Sequence, residues 1–132
     1  VTNRATDPAS GDADRAMRQQ RERSGRRSEA VACLVLRLSG YRILARRWVS
    51  PRGEIDIIAS RGRRLVFIEV KRRPSTRDGD AHAAISPRQR ERIHRAGELW
   101  LARHPDYRAY EIGFDLMLIA PWRWPRHIRD GL

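Results

Sequence analysis

Asp56, Glu69 and Lys71 are the residues whose types and spacing could do chemistry together in this 132-residue chain. They lie in the stretch GEIDIIASRGRRLVFIEVKRR, from Gly53 to Arg73. It consists of two apolar runs joined by a Gly-containing basic turn, which is a hairpin signal. At strand period, Glu54, Asp56 and Ile58 share one face of the first run, and Ile55, Ile57 and Ala59 the other. In the second run Leu65, Phe67, Glu69 and Lys71 share a face, opposite Val66, Ile68 and Val70. Both faces are largely apolar, so the strands should be buried, where charge is costly unless paired or bound to a metal. A turn centred near Gly62 and Arg63 puts Asp56 directly across from Glu69. Directly opposed Cβ atoms sit about 5 Å apart, and like charges there destabilise a sheet. A divalent cation between the carboxylates would relieve the repulsion, and Mg²⁺ favours one or two carboxylates plus waters and phosphate. Lys71 could then orient a water or stabilise charge on a phosphate. An internal Glu–Lys ion pair on a partly exposed strand end accounts for the same residues without a metal, and D-x(12)-E-x-K is a short pattern.

Composition bears on that choice. Of the 28 Lys and Arg residues, 27 are arginine and one is lysine, Lys71. A compact ammonium differs chemically from a planar guanidinium, so a lysine retained here alone suggests a point-charge role, with chance placement the alternative. The net charge of +12 implies a polyanionic partner, most simply nucleic acid. No basic amphipathic helix carries a bulky apolar face for a membrane surface. Neither a secretory h-region nor an apolar run near 18 residues is present, so a soluble cytoplasmic protein is expected. The single cysteine, Cys33, excludes an internal disulfide and a Cys-based zinc site.

The elements that must position the three residues fill one domain with a modest core. Residues 1–23 lack a sustained apolar face and read as a basic tail, disordered or a frayed helix, ahead of a single domain over 24–132. A helix is expected over Ser28–Ser39, capped by Ser28 and stopped by Gly40, with Glu29 in its first turn favoured by the helix dipole. Tyr41–Val49 reads as a strand, and Arg46, Arg47 and Arg52 near the carboxylates would offset their charge and contact phosphates. The loop from Arg72 to Ile85 leaves directly from the site, and Arg72, Arg73 and Arg77 could wall a nucleic-acid groove. His82 on that loop has no partner at ligand spacing and reads as a surface residue. Ser86-Pro87-Arg88-Gln89 is a capping box opening a helix to about His104, where Pro105 ends it. Ile93, Ala96, Gly97, Trp100 and Leu101 form its buried face, with Arg88, Arg92 and Arg95 on another; Arg88 and Arg92 join the expected nucleic-acid contacts. Glu111–Ala120 reads as a strand whose Asp115 should pair with an arginine. Trp122, Trp124 and His127 are expected to pack against or cap the sheet.

GEIDIIA, LVFIEVKRR, the helix AAISPRQRERIHRAGELWLARHP and the strand FDLMLI, in this order and spacing, resemble the YraN-type family of small bacterial proteins. That family is placed among the restriction-endonuclease-like, PD-(D/E)xK nucleases and resembles the archaeal Holliday-junction resolvases. The resemblance covers about Gly25 to the C-terminus. It implies an α/β restriction-endonuclease-like fold, a mixed β-sheet with a central β-hairpin flanked by α-helices. It further implies a Mg²⁺- or Mn²⁺-dependent DNA endonuclease acting on branched structures, with Asp56 and Glu69 as metal ligands and Lys71 helping to activate water. Gly25-Arg26-Arg27-Ser28-Glu29 matches the family's G-x-x-G-E, which supplies Glu29 to the metal, but Ser28 replaces the second glycine and puts the approach of a phosphate there in doubt. Gln89 matches a residue beside the active site in related nucleases, a role to weigh equally with its capping bond. The tail only partly matches the family's ending. Resolvases of this fold act as dimers, so a homodimer is implied, although no helix here stands out as a dimer surface. A catalytically silent nucleic-acid-binding module with the same fold and charge is the alternative.

Overall fold

A computed structural model describes residues 8–77 and 85–132. The first element, α1, runs over Pro8–Leu38. Strands β1 (Arg42–Ser50), β2 (Gly53–Arg61) and β3 (Arg64–Arg72) form a meander. Helix α2 (Pro87–Arg103), a short 3-10 turn, β4 (Glu111–Ile119) and β5 (Arg126–Ile128) complete the chain. The strands make one five-stranded sheet in the order β1-β2-β3-β4-β5. Only β3 and β4 are parallel; the other neighbours are antiparallel. A parallel pair needs a crossover, and α2 supplies it between β3 and β4. This mixed sheet flanked by helices is the restriction-endonuclease-like arrangement the resemblance implies.

The apolar residues of β3 divide between the sheet faces as strand alternation requires. In β2 the expected shared face of Ile55, Ile57 and Ala59 is corrected: Ile55 packs with Ile58, on the face opposite Ile57 and Ala59, because alternation breaks at Asp56 where β2 leaves β3. Ala32, Cys33, Val35 and Leu36 of α1 pack on Ile57, Ala59, Val66, Ile68 and Met117. On the other face, Ala96 and Trp100 of α2 pack on Ile55, Ile58, Leu65 and Phe67. Helix α2 approaches the sheet closely at Gly97, where a Cβ would stand 2.7 Å from the Phe114 ring. Its start is the expected capping box, with Gln89 N–H donating to Ser86 Oγ and Ser86 N–H to Gln89 Oε1. Asp115, fully buried in β4, is the expected partner of an arginine: Arg64 donates to both its oxygens at 2.8 Å. His127 adds a contact at 2.7 Å, so β5 is tied to the sheet by the same carboxylate. Burial opposes charge on Asp115, but bonds from His127, Arg64 and the Asp130 N–H outweigh it and hold the carboxyl well below its usual range.

Two further expectations are corrected. The first helix does not begin at Ser28: it starts at Pro8, so Ser28 and Glu29 are buried mid-helix residues rather than a cap and a first-turn carboxylate. Of the two readings of the tail, disordered or helical, its described part from Pro8 on takes the helical one, as an arm whose residues 11–23 are exposed. Its backbone bonds continue the ladder of the packed half, and extending an existing helix avoids the nucleation cost. Trp122 and Trp124 do not cap the sheet; they are exposed, and His127 alone fulfils that expectation. His82 lies outside the described residues. Among the described residues, no helix is long and apolar enough to cross a membrane.

Candidate active site

The hairpin register is the predicted one over five pairs, from Arg61 opposite Arg64 to Ile57 opposite Ile68. The ladder stops one pair before Asp56 and Glu69. From there β2 continues with β1, ending at Gly53 opposite Ser50, while β3 continues with β4 to Arg72 opposite Ile119. The two central strands therefore fork, and Asp56 stands in the opening. Its Oδ2 accepts the Val70 N–H at 2.8 Å, giving that backbone donor a partner where the strand ladder gives none. The Asp56 and Glu69 carboxyls are near enough to influence each other's ionisation. Lys71 Nζ lies 3.3 Å from Glu69 Oε1, so the Glu–Lys ion pair foreseen as an alternative is formed as well.

Burial and mutual repulsion set the electrostatics of the pair. Burial pushes the Glu69 carboxyl up to about 7, reinforced by the charge of Asp56 and opposed by Lys71. Asp56 is also raised, first by burial and further by Glu29 and Glu54, while the Val70 N–H works against the shift. Burial and neighbouring carboxylates thus hold both groups above their usual range, Glu69 into the neutral region.

Glu29 reaches this region from α1, held by two consecutive arginines. Arg46 Nε donates to its Oε1 at 3.1 Å and Arg47 Nε to its Oε2 at 2.7 Å. Neighbours on a regular strand point to opposite faces. Here the β1–β2 register shifts between Ile43 and Ala45, and Arg47 adopts a left-handed backbone with φ of 49°. Such departures re-aim side chains and are found at functional sites. They allow both guanidiniums to reach one carboxylate.

A cleft of about 1090 Å³ opens over the fork; Asp56 and Lys71 line it, while Glu69 stands outside the lining. Glu54, Asp56 and Lys71 lie along it on the sheet side, with Arg47, Arg72 and Arg73 beside them; Glu29 and the arm of α1 form the opposite wall. Of the arginines expected to contact nucleic acid, Arg47, Arg72 and Arg73 line the cleft, and Arg46 is tied to its wall through Glu29. Arg52, Arg77, Arg88 and Arg92 are exposed but stand outside the lining. Gln89 is also outside the lining and is engaged in its cap. Among the described residues no group of three His, Cys, Asp or Glu side chains converges as a metal site, so Glu29 does not join Asp56 and Glu69 in a three-carboxylate cage. The sequence reading passed over Glu54, although its place two residues before Asp56 on the same strand face was a usable signal. Arg21 and Arg26 of the arm also line the cleft, from a segment with no apolar stripe to mark it as an element.

Comparison with known proteins agrees with this architecture. Residues 28–119 match the profile of "Uncharacterised protein family UPF0102". A UPF0102 protein of Chelativorans sp. (strain BNC1) is 46% identical over 116 residues, covering 88% of this chain and 92% of the relative. One from Parvibaculum lavamentivorans is 49% identical over 110 residues, 83% of this chain and 80% of the relative. One from Methylocella silvestris is 50% identical over 104 residues, 79% and 82% of the two chains. With the profile covering the packed end of α1, all of α2 and the whole β2–β3 fork, the chain belongs to the UPF0102, or YraN-type, family.

Proposed function

We propose that the protein binds nucleic acid and cleaves DNA, branched DNA included, as a divalent-metal-dependent endonuclease of the PD-(D/E)xK type. The observation that carries the reading is the fork: Asp56, Glu69 and Lys71 meet where two central strands part, beside a cleft lined by Arg47, Arg72 and Arg73. Mg²⁺ or Mn²⁺ fits the donor set, because two hard carboxylates, both pushed toward the neutral form by burial and repulsion, are relieved by a cation. Asp56 and Glu69 would hold it, leaving its other positions to water and phosphate. When bound, it would supply charge neutralisation on the phosphate oxygens. The chain's own residues do the rest. Arg47, Arg72 and Arg73 hold the phosphate backbone at the mouth. Lys71, paired with Glu69, presents a point charge that can orient a water or stabilise phosphate charge.

The test is strand cleavage of a labelled linear duplex and of a four-way junction, in Mg²⁺ or Mn²⁺ and in EDTA. Cutting with metal, none with EDTA, and loss of cutting in Glu69→Gln are expected. Binding of both DNAs without cutting in any metal would refute the nuclease and leave the alternative, a silent nucleic-acid-binding module. The closed Glu29–Arg46–Arg47 clamp, which keeps Glu29 paired with two arginines, is the observation that favours that second reading.

A further inference from the structure

The helical arm of α1 ahead of the family-matched residues has no packing role along its exposed part, yet it walls the cleft. Arg21, Gly25 and Arg26 line it, and Arg18 and Arg21 line a smaller recess of about 280 Å³ that continues along the arm through the shared Met17. None of Arg18, Arg21 and Arg26 forms an ion pair among the described residues, in contrast to Arg46 and Arg47. Gly25 is the second observation. A glycine inside a helix costs about 1 kcal/mol relative to alanine. Here no neighbour explains it, since a Cβ would meet nothing within 4 Å. A bare backbone facing an open cleft leaves room for another chain to approach closely.

We infer that the arm is the second jaw of a nucleic-acid clamp: Arg18, Arg21 and Arg26 hold the phosphate backbone of the strand that lies over the fork, and Gly25 leaves space for it. This rests on the proposed function and adds to it the surface that fixes the substrate's path. From Arg18 to Arg26 the helix rises about 12 Å. That matches roughly three to four nucleotide steps at about 3.4 Å along a duplex strand. The arm can thus hold about three phosphates beyond those at Arg47, Arg72 and Arg73. Glu22 on the cleft and Asp14 on the recess are acidic residues of the same arm.

The experiment uses the full chain and fluorescence anisotropy with a labelled duplex and a four-way junction across a salt series. The variants are the triple Arg18→Ala, Arg21→Ala, Arg26→Ala, and separately Gly25→Leu, which projects a side chain into the cleft from a position with open surroundings. The triple variant should bind roughly tenfold or more weakly, with a log–log salt slope shallower by about 2 to 3. Gly25→Leu should weaken binding while melting no lower than wild type, because the helix gains a better former. If wild type binds with a steep salt slope and both variants match it, the arm is not a jaw and the proposed function stands without it. If wild type itself does not bind either DNA, the proposed function falls and the clamp with it.

Discussion

Replacing Asp56 by Asn should make the metal-free protein more stable at neutral and alkaline pH, although it removes a buried charged group. The Glu69 carboxyl is raised from 4.5 to about 7 by burial and by Asp56. The folded state therefore keeps a proton that the unfolded chain has released, so stability is lost as pH climbs from about 4.5 through 7. At 1.36 kcal/mol per pKa unit the loss is about 3 kcal/mol, shared across the coupled pair. Asparagine at 56 still offers an oxygen to the Val70 N–H, and its amide can donate to Glu69. What remains beside Glu69 is then the Lys71 ammonium, while Glu29, Glu54 and Arg47 act on position 56. Burial of Glu69 is unchanged, so only part of the loss is recovered, about 1–2 kcal/mol at pH 8, or roughly 5 °C in melting temperature. Thermal melts of wild type and Asp56→Asn in EDTA, from pH 5 to pH 8, read the difference directly, since every other titrating group is common to both. The gap should be near zero at pH 5 and open in favour of the variant by pH 8. Mn²⁺ should then raise wild type, by about 2.7 kcal/mol at a hundredfold excess over Kd, and leave the variant nearly unmoved. If Asp56→Asn melts below wild type at pH 8, the two carboxylates are not in repulsion and the case for a cation between them collapses.

The remaining expectations are shorter. Lys71→Arg should keep the charge and the fold but abolish cleavage, because a planar fork cannot occupy a point-charge position; full activity would return the lone lysine to coincidence. Asp115→Ala should cost about 3–5 kcal/mol in urea unfolding, since it leaves the buried Arg64 guanidinium with the neutral Tyr41 hydroxyl and the exposed Asp130 as its partners. Because the Asp115 carboxyl is held below its usual range, its contribution should persist above about pH 4 and fade on acidification, so wild type and Asp115→Ala should converge at low pH. Gly97→Ala should destabilise by about 1–3 kcal/mol despite better helix propensity, because the new methyl runs into the Phe114 ring, which is stacked between Phe67 and His94; a neutral or stabilising result would show that the ring can yield.

Much of this fold was legible because its elements obey simple periods. The β2–β3 register followed from one turn, Gly62-Arg63, and held for five pairs. The α2 start followed from Ser86 and Gln89, where a local side-chain bond decides the boundary. Asp115 was legible as an arginine's partner because a carboxylate in a buried strand has few other outcomes, although only the structure identifies Arg64. The start of α1 was not legible. Residues 8–27 carry no apolar stripe, and nothing in their composition separates an exposed helix propagated from a packed one from a disordered tail. Without a marked element, sequence reading assigns Arg21 and Arg26 no fixed face to present to a cleft.

The candidate site itself owes its form to two breaks in strand regularity, and these are what periodic reasoning is least able to see. Strict pairing would have set Asp56 and Glu69 in the ladder with backbone bonds on either side, and strict alternation would have sent Arg46 and Arg47 to opposite faces. Instead β2 and β3 part after Ile57 and Ile68, and Arg47 takes a left-handed backbone beside a register shift. A fork is tolerable only if something bonds the backbone groups it exposes, and Asp56 does so at Val70. A left-handed arginine is tolerable only if its side chain gains a strong partner, and Glu29 provides one at 2.7 Å. The carboxylates that repel one another or hold arginines in place are therefore also what keeps the sheet open at this point. Removing Asp56 or Glu29 outright should close or disorder the fork, whereas their amide replacements should preserve its shape and change only its charge. That separation is why Asp56→Asn, rather than Asp56→Ala, isolates the electrostatics of the site from its architecture.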